Sequence, residues 1–203
     1  MMAAQCDPAN GRASGQALSD LAADRAVIVT GAEGGAFVLI AARGVTPEVV
    51  TRMAGDARGL VGLVMSRHRA RQLGLTLQPR RGDSTAPLYT QSIEAAEGTS
   101  TGISAADRAR TIRVAAFGTA EDIVTPGHIF PQLAGDRERG QAAIALRLLA
   151  AAGADPVGAI CTILDDRGEV ADTTGARRLA LRLGLSVIDA TEVNVIRGAQ
   201  HFT

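Results

Sequence analysis

Short, continuous apolar runs, punctuated by glycine and alternating with capped helical patterns, constrain this chain more than any other feature. Ala26-Val27-Ile28-Val29 and Ala36-Phe37-Val38-Leu39-Ile40 read as buried strands, with Gly31 and Gly34-Gly35 turning the chain between them. Thr46-Pro47-Glu48 opens a helix with an N-cap followed by proline at its first position. A strand over Leu60 to Met65 and a basic helix from Ser66 come next, then a polar loop over 78–87. Residues 88–95 (LYTQSIEA) read as a half-buried strand, and Ser104 to Asp107 opens a helix that runs through Val114. Residues 118–136, rich in Gly and Pro, read as a loop. A helix (QAAIALRLLAAAG), a strand (AICTIL), a helix (TGARRLALRLG) and a strand (LSVID) complete the order. The alternation predicts one α/β domain over residues 21–203, with residues 1–20 as a disordered N-terminal extension.

Composition narrows the chemistry. All 21 residues counted as Lys+Arg are arginine, which excludes a Schiff-base lysine, a pyridoxal-phosphate anchor and a P-loop lysine. Aromatics at 2% disfavour stacking on bases or sugars, and a net charge of zero leaves no electrostatic footprint for nucleic acid or an anionic membrane. Cys6 and Cys161 match neither a disulfide framework nor a zinc spacing. With no signal-peptide pattern and no run of transmembrane length, the expected setting is cytoplasmic. Gly31, Gly34 and Gly35 precede a strand and so form no dinucleotide fingerprint, and no Gly-x-Ser-x-Gly elbow supports a hydrolase triad. The cluster Ser66-Arg67-His68-Arg69-Ala70-Arg71 reads as a solvated helix face.

Three collinear segments carry a resemblance: residues 100–111 (STGISAADRART), Thr125-Pro126-Gly127-His128-Ile129-Phe130-Pro131, and residues 153–168 (GADPVGAICTILDDRG). In order and spacing the chain resembles 3,4-dihydroxy-2-butanone 4-phosphate synthase, the riboflavin-pathway family, from about residue 24 onward. The resemblance implies a single-domain three-layer α/β sandwich with a mixed sheet and flanking helices. It also implies a homodimer with sites near the interface, and conversion of ribulose 5-phosphate, with magnesium, into a four-carbon phosphoketone and formate. Chemistry of that kind needs carboxylates to move protons, a metal for enediolate oxygens and cationic groups for the phosphate.

Carried over by position, the family's acidic loop becomes residues 30–37, with Glu33 its one carboxylate, aligned with a metal-binding glutamate. Gln141 stands for a metal-ligand histidine, Glu138 and Ala142 for a phosphate-gripping arginine and threonine, Thr162 for a catalytic glutamate and Gly62 for a cysteine. His128 keeps the family's identity. His128 is a general acid/base or a hydrogen-bonding loop residue, and Glu33 a site carboxylate or a surface turn residue. Thr101 lies near the substrate in the family, and Arg139 either meets phosphate or pairs with neighbouring acids. Ser104 and Asp107 read as a helix cap. From these substitutions we expect a repurposed enzyme doing metal-independent isomerase, dehydratase or lyase chemistry on a less anionic small molecule. His128 and Glu33 would be catalytic, with Thr101, Arg139, Gln141 and Thr162 binding substrate. No cofactor is expected, and magnesium only if Glu33 and a further ligand retain a site. The alternatives are a non-catalytic partner subunit, in a heterodimer with a related chain, and the synthase itself.

Overall fold

The computed structural model describes residues 8–82, 86–134 and 139–193, with side chains from residue 14 onward. Its centre is a seven-stranded mixed sheet. In chain order the strands are β1 (Val27–Thr30), β2 (Phe37–Ala41), β3 (Arg58–Met65), β4 (Leu88–Tyr89), β7 (Pro131–Leu133), β8 (Val157–Ile163) and β9 (Ser186–Asp189). Across the sheet they run β4-β7-β3-β8-β2-β1-β9. β1 pairs parallel with β9 and β3 with β7, while β8 lies antiparallel to both β2 and β3. A separate two-stranded sheet joins β5 (Ile93–Ala95) to β6 (Ile123–Ile129).

Helices cover both faces of the large sheet. α2 (Pro47–Arg52), α4 (Ala105–Phe117) and α6 (Thr173–Leu183) stand on one side; α1 (Pro8–Ala22), α5 (Gln141–Ala151) and α7 (Ala190–Val193) stand on the other. Strand periodicity sorts the core between them. Val38, Ile40, Val157, Ala159, Cys161 and Ile163 enter the α2/α4/α6 core, whereas Phe37, Leu39, Ala41 and Ile160 enter the α1/α5/α7 core. With no solvent face, central strands read as continuous apolar runs, and the expected three-layer α/β architecture with a mixed sheet is the one found. A further helix, α3 (Arg67–Gln72), follows β3.

The caps are local consequences of sequence. Thr46 Oγ1 accepts from Val49 N–H ahead of Pro47, Ser66 Oγ from Arg69 N–H, and Asp172 from Gly175 N–H.

Four expectations are corrected here. The disordered extension over 1–20 is, in its described part, the helix α1: Ala17 and Leu21, four residues apart on one face, are fully buried. Residues 88–95 form two strands in two different sheets. The loop expected over 118–136 contains β6 and β7, and β6 pairs with β5 through a bulge. Gly127 permits that pairing, because a Cβ there would collide with the backbone carbonyl of Ile93. Finally, Arg69 does not belong to a solvated face. Its Nε donates to Ala115 O at 2.9 Å and its Nη2 to Gly118 O at 2.6 Å, satisfying carbonyls at the C-terminal end of α4.

α1 is fastened by Asp20, a carboxylate only 8% exposed. It accepts from Gln16 Nε2 (2.8 Å), from Arg25 Nη2 (2.6 Å) and from the Ser186 hydroxyl on β9. Burial alone pushes its pKa up, but the bonds from Ser186, Arg25 and Gln16 outweigh burial and hold it below the ordinary carboxylate value. A depressed folded pKa means that the stability contributed is full above the unfolded value and is lost as pH falls through the folded one. Asp20→Ala is expected to lower unfolding stability at pH 7 by about 2 kcal/mol in urea titrations. The variant is also expected to lose less stability than the parent between about pH 4 and pH 2.

Candidate functional site

The residues singled out in the sequence fall into two clusters. The first forms where the β1–β2 turn meets the start of α5. Glu33 N–H donates to Arg139 O at 2.8 Å, and Glu33 and Gly140 form an isolated parallel bridge. This lays the glycine turn alongside the residues that lead into α5. Gln141, 8% exposed, donates from Nε2 to Gly34 O (3.1 Å), Gly35 O (3.2 Å) and Thr162 Oγ1 (3.1 Å). Thr162 is brought there by β8, in register with Phe37 of β2. The Gly35 backbone lies so close to Val170 that a Cβ there would strike the valine side chain. Glu33, Arg139, Gln141 and Thr162 therefore share one site, with Glu33 and Arg139 exposed at its rim.

The second cluster is built on β5, β6 and the segment before α4. His128 Nδ1 lies 2.8 Å from Glu94 Oε2, and the His128 backbone N–H donates to the same oxygen at 3.2 Å. Glu94 is 9% exposed and accepts at its other oxygen from Thr111 Oγ1 of α4, at 3.0 Å. Thr111 Oγ1 also accepts from Ala95 N–H. A carboxylate held at both oxygens in this way fixes the imidazole orientation and leaves Nε2 as the outward nitrogen.

The Ser104 cap is as expected: its Oγ accepts from Asp107 N–H at 3.0 Å. The Asp107 carboxylate does something else. It accepts from Ser100 N–H, Ser100 Oγ and Gly102 N–H, pinning residues 100–102. The Ser100 hydroxyl leads the causes that lower its pKa, so it is ionised at neutral pH. The pinned segment sets the exposed Thr101 beside Gly102, whose backbone packs onto Glu94 and His128.

Glu94, Thr111 and Gly102 were not singled out in the sequence. A carboxylate inside the apolar strand Ile93-Glu94-Ala95 was the available signal, since a buried charge needs partners. The His128 cluster joins β5, β6 and α4, whereas the Gln141 cluster joins the β1–β2 turn, α5 and β8.

Among the described residues no group of three or more His, Cys, Asp or Glu could hold an ion. The Gln141 amide and Thr162 hydroxyl spend their polar atoms on each other and on two backbone carbonyls. Magnesium demands near-octahedral oxygen ligation with carboxylates, and this described set does not fit it.

The family model described as 3,4-dihydroxy-2-butanone 4-phosphate synthase matches residues 15–195. A synthase of that name from Pseudomonas aeruginosa is 43% identical over 157 residues, covering 74% of this chain and 43% of the relative. The chain thus spans less than half the length of the first curated relatives it matches. Among solved structures, a two-domain 3,4-dihydroxy-2-butanone 4-phosphate synthase from A. baumannii superposes with a TM-score of 0.83 at 33% identity, over 89% of this chain and 56% of that one. Another synthase, in complex with two magnesium ions, superposes with a TM-score of 0.81 at 28% identity, over 88% and 93%.

Two expectations are thereby corrected. Relatives at this identity are named as synthases, which overturns both the repurposed metal-independent enzyme and the non-catalytic subunit. The synthase holding two magnesium ions overturns the expectation that no cofactor is involved. Two carboxylates of the adjoining segment, Asp136 and Glu138, lie outside the described residues.

Gly102 and Gly168 share a φ of +82°, but only at Gly102 would a Cβ meet side chains, those of Glu94 and His128. Gly168→Ala is expected to cost about 1 kcal/mol from backbone strain alone. Gly102→Ala is expected to cost about 2 kcal/mol more, read from urea midpoints of the two variants side by side.

Proposed function

The chain belongs to the 3,4-dihydroxy-2-butanone 4-phosphate synthase family, and on that premise we propose that it carries out the synthase reaction, converting ribulose 5-phosphate into the butanone phosphate and formate. The observation that carries this reading is the collinear match over residues 15–195, which includes His128.

The chain's own residues supply particular steps in this proposal. His128 moves protons. With Nδ1 hydrogen-bonded to Glu94, Nε2 is the basic nitrogen that takes a proton from a carbon beside the substrate carbonyl and returns it later. Glu94 is a positioning residue that holds the ring in its orientation. Arg139, directly before the Gly140 N-cap of α5, meets the phosphate together with the uncapped N–H groups of that helix. Gln141 and Thr162 hydrogen-bond substrate hydroxyls, Glu33 contributes a carboxylate at the rim, and Thr101 binds from the other cluster.

Because the two clusters lie in different parts of the chain, the proposal includes a homodimer in which one protomer's His128 cluster faces its partner's Gln141 cluster. The proposed unit is one synthase-like domain working in the cytoplasm. Among the described residues no helix is long and apolar enough to cross a membrane.

The test is formate release from ribulose 5-phosphate in the presence of magnesium. Turnover is expected for the parent chain, with a loss of about 10²–10⁴-fold in kcat for His128→Ala. Co-refolding His128→Ala with Arg139→Ala is expected to regain part of the activity through mixed dimers. No formate from pure parent protein would sink the synthase reading, and failure of complementation would sink the shared site.

A further inference from the structure

A groove of about 570 Å³ lies between α2 and α4, and none of the residues of either cluster lines it. We propose that it binds a small amphipathic anion, a flat apolar body carrying one oxyanion group.

Its shape follows from α4. Ala106, Arg110, Arg113 and Phe117 lie three to four residues apart and so share a face of the helix. Ala106 leaves depth at one end, while Phe117, 51% exposed, stands at the other. The buried Val45 and the ring of Pro47 contribute apolar surface from the α2 side. A volume of this size falls within the usual range for small-molecule sites.

The charge pattern selects the ligand. Among the described residues neither Arg110 nor Arg113 pairs with a carboxylate; each is held by a backbone carbonyl instead. Arg110 Nε donates to Glu97 O at 2.6 Å, and Arg113 Nη1 to Arg43 O at 2.8 Å. Gly98, with a φ of +72°, lets the Arg110 guanidinium lie against its backbone, where a Cβ would collide. Both cations are thus positioned in advance, with donors left over and, among the described residues, no carboxylate to receive them. The lone acid of the groove, Asp122, is committed to Thr119, accepting from its N–H at 2.7 Å and its hydroxyl at 2.9 Å. Two preset guanidiniums above an apolar floor match an oxyanion joined to a flat hydrocarbon.

The probe is 1-naphthyl phosphate, titrated by calorimetry against the full chain, with 1-naphthol as the uncharged control. Saturable binding of the phosphate is expected. The R110M/R113M double variant is expected to weaken it by about tenfold or more. Ala106→Phe, which fills the groove at an exposed position and changes no charge, is expected to abolish it. Arg139→Ala is expected to leave it unchanged, and melting curves check that each variant is folded. No saturation up to about 1 mM would overturn the proposal. So would equal affinity for 1-naphthol, unchanged binding in Ala106→Phe, or loss of binding in Arg139→Ala. The readout needs no turnover, so it stands or falls separately from the synthase reading.

Discussion

β8 has helices on both faces and antiparallel neighbours on both edges, and this double burial is the constraint on which the rest of the chain depends. A strand so placed has no polar side to spare. Every second residue must suit one core and the residues between must suit the other, and Cys161 and Thr162 show the result. The thiol faces the α2/α4/α6 side, where burial pushes its pKa up to about 11, so it stays protonated and chemically quiet. The next side chain, Thr162, emerges on the α5 side, where Gln141 meets it. A one-residue slip in register would exchange them, putting the hydroxyl into an apolar core and the thiol into the polar site.

Much of the fold was legible because apolar runs and caps act over short distances. The strands around Val27–Thr30, Phe37–Ala41 and Val157–Ile163, and the helix from Gln141, sit within one or two residues of their sequence-based bounds. Legibility fails where the deciding partner is remote. β6 contains Pro126 and Gly127, which normally break strands, and becomes a strand because β5 lies against it. α1 looks polar locally, yet it is held by Ser186, 166 residues from Asp20. Arg69 reads as one more surface arginine until α4 ends beneath it.

The site follows the same rule. His128 was identifiable from its motif, but Glu94, 34 residues away, was not, because the pairing of β5 with β6 creates their contact. Position-by-position comparison also located Gln141 and Thr162, and the structure places those two together. It gave no warning that His128 would stand in another cluster. Which residues occupy the motif positions can be read along the chain; which of them face one substrate is a matter of three-dimensional assembly.

α4 is secured at both ends by side chains from outside its regular turns. Ser104 and the segment pinned by Asp107 hold the start, and Arg69 closes the finish. With neither end free to fray, its 13 residues behave as a strut about 20 Å long. The strut has the Gly102 loop at one tip and Phe117 at the other. The two tips are therefore joined by one continuous helix whose ends are both hydrogen-bonded to residues outside it.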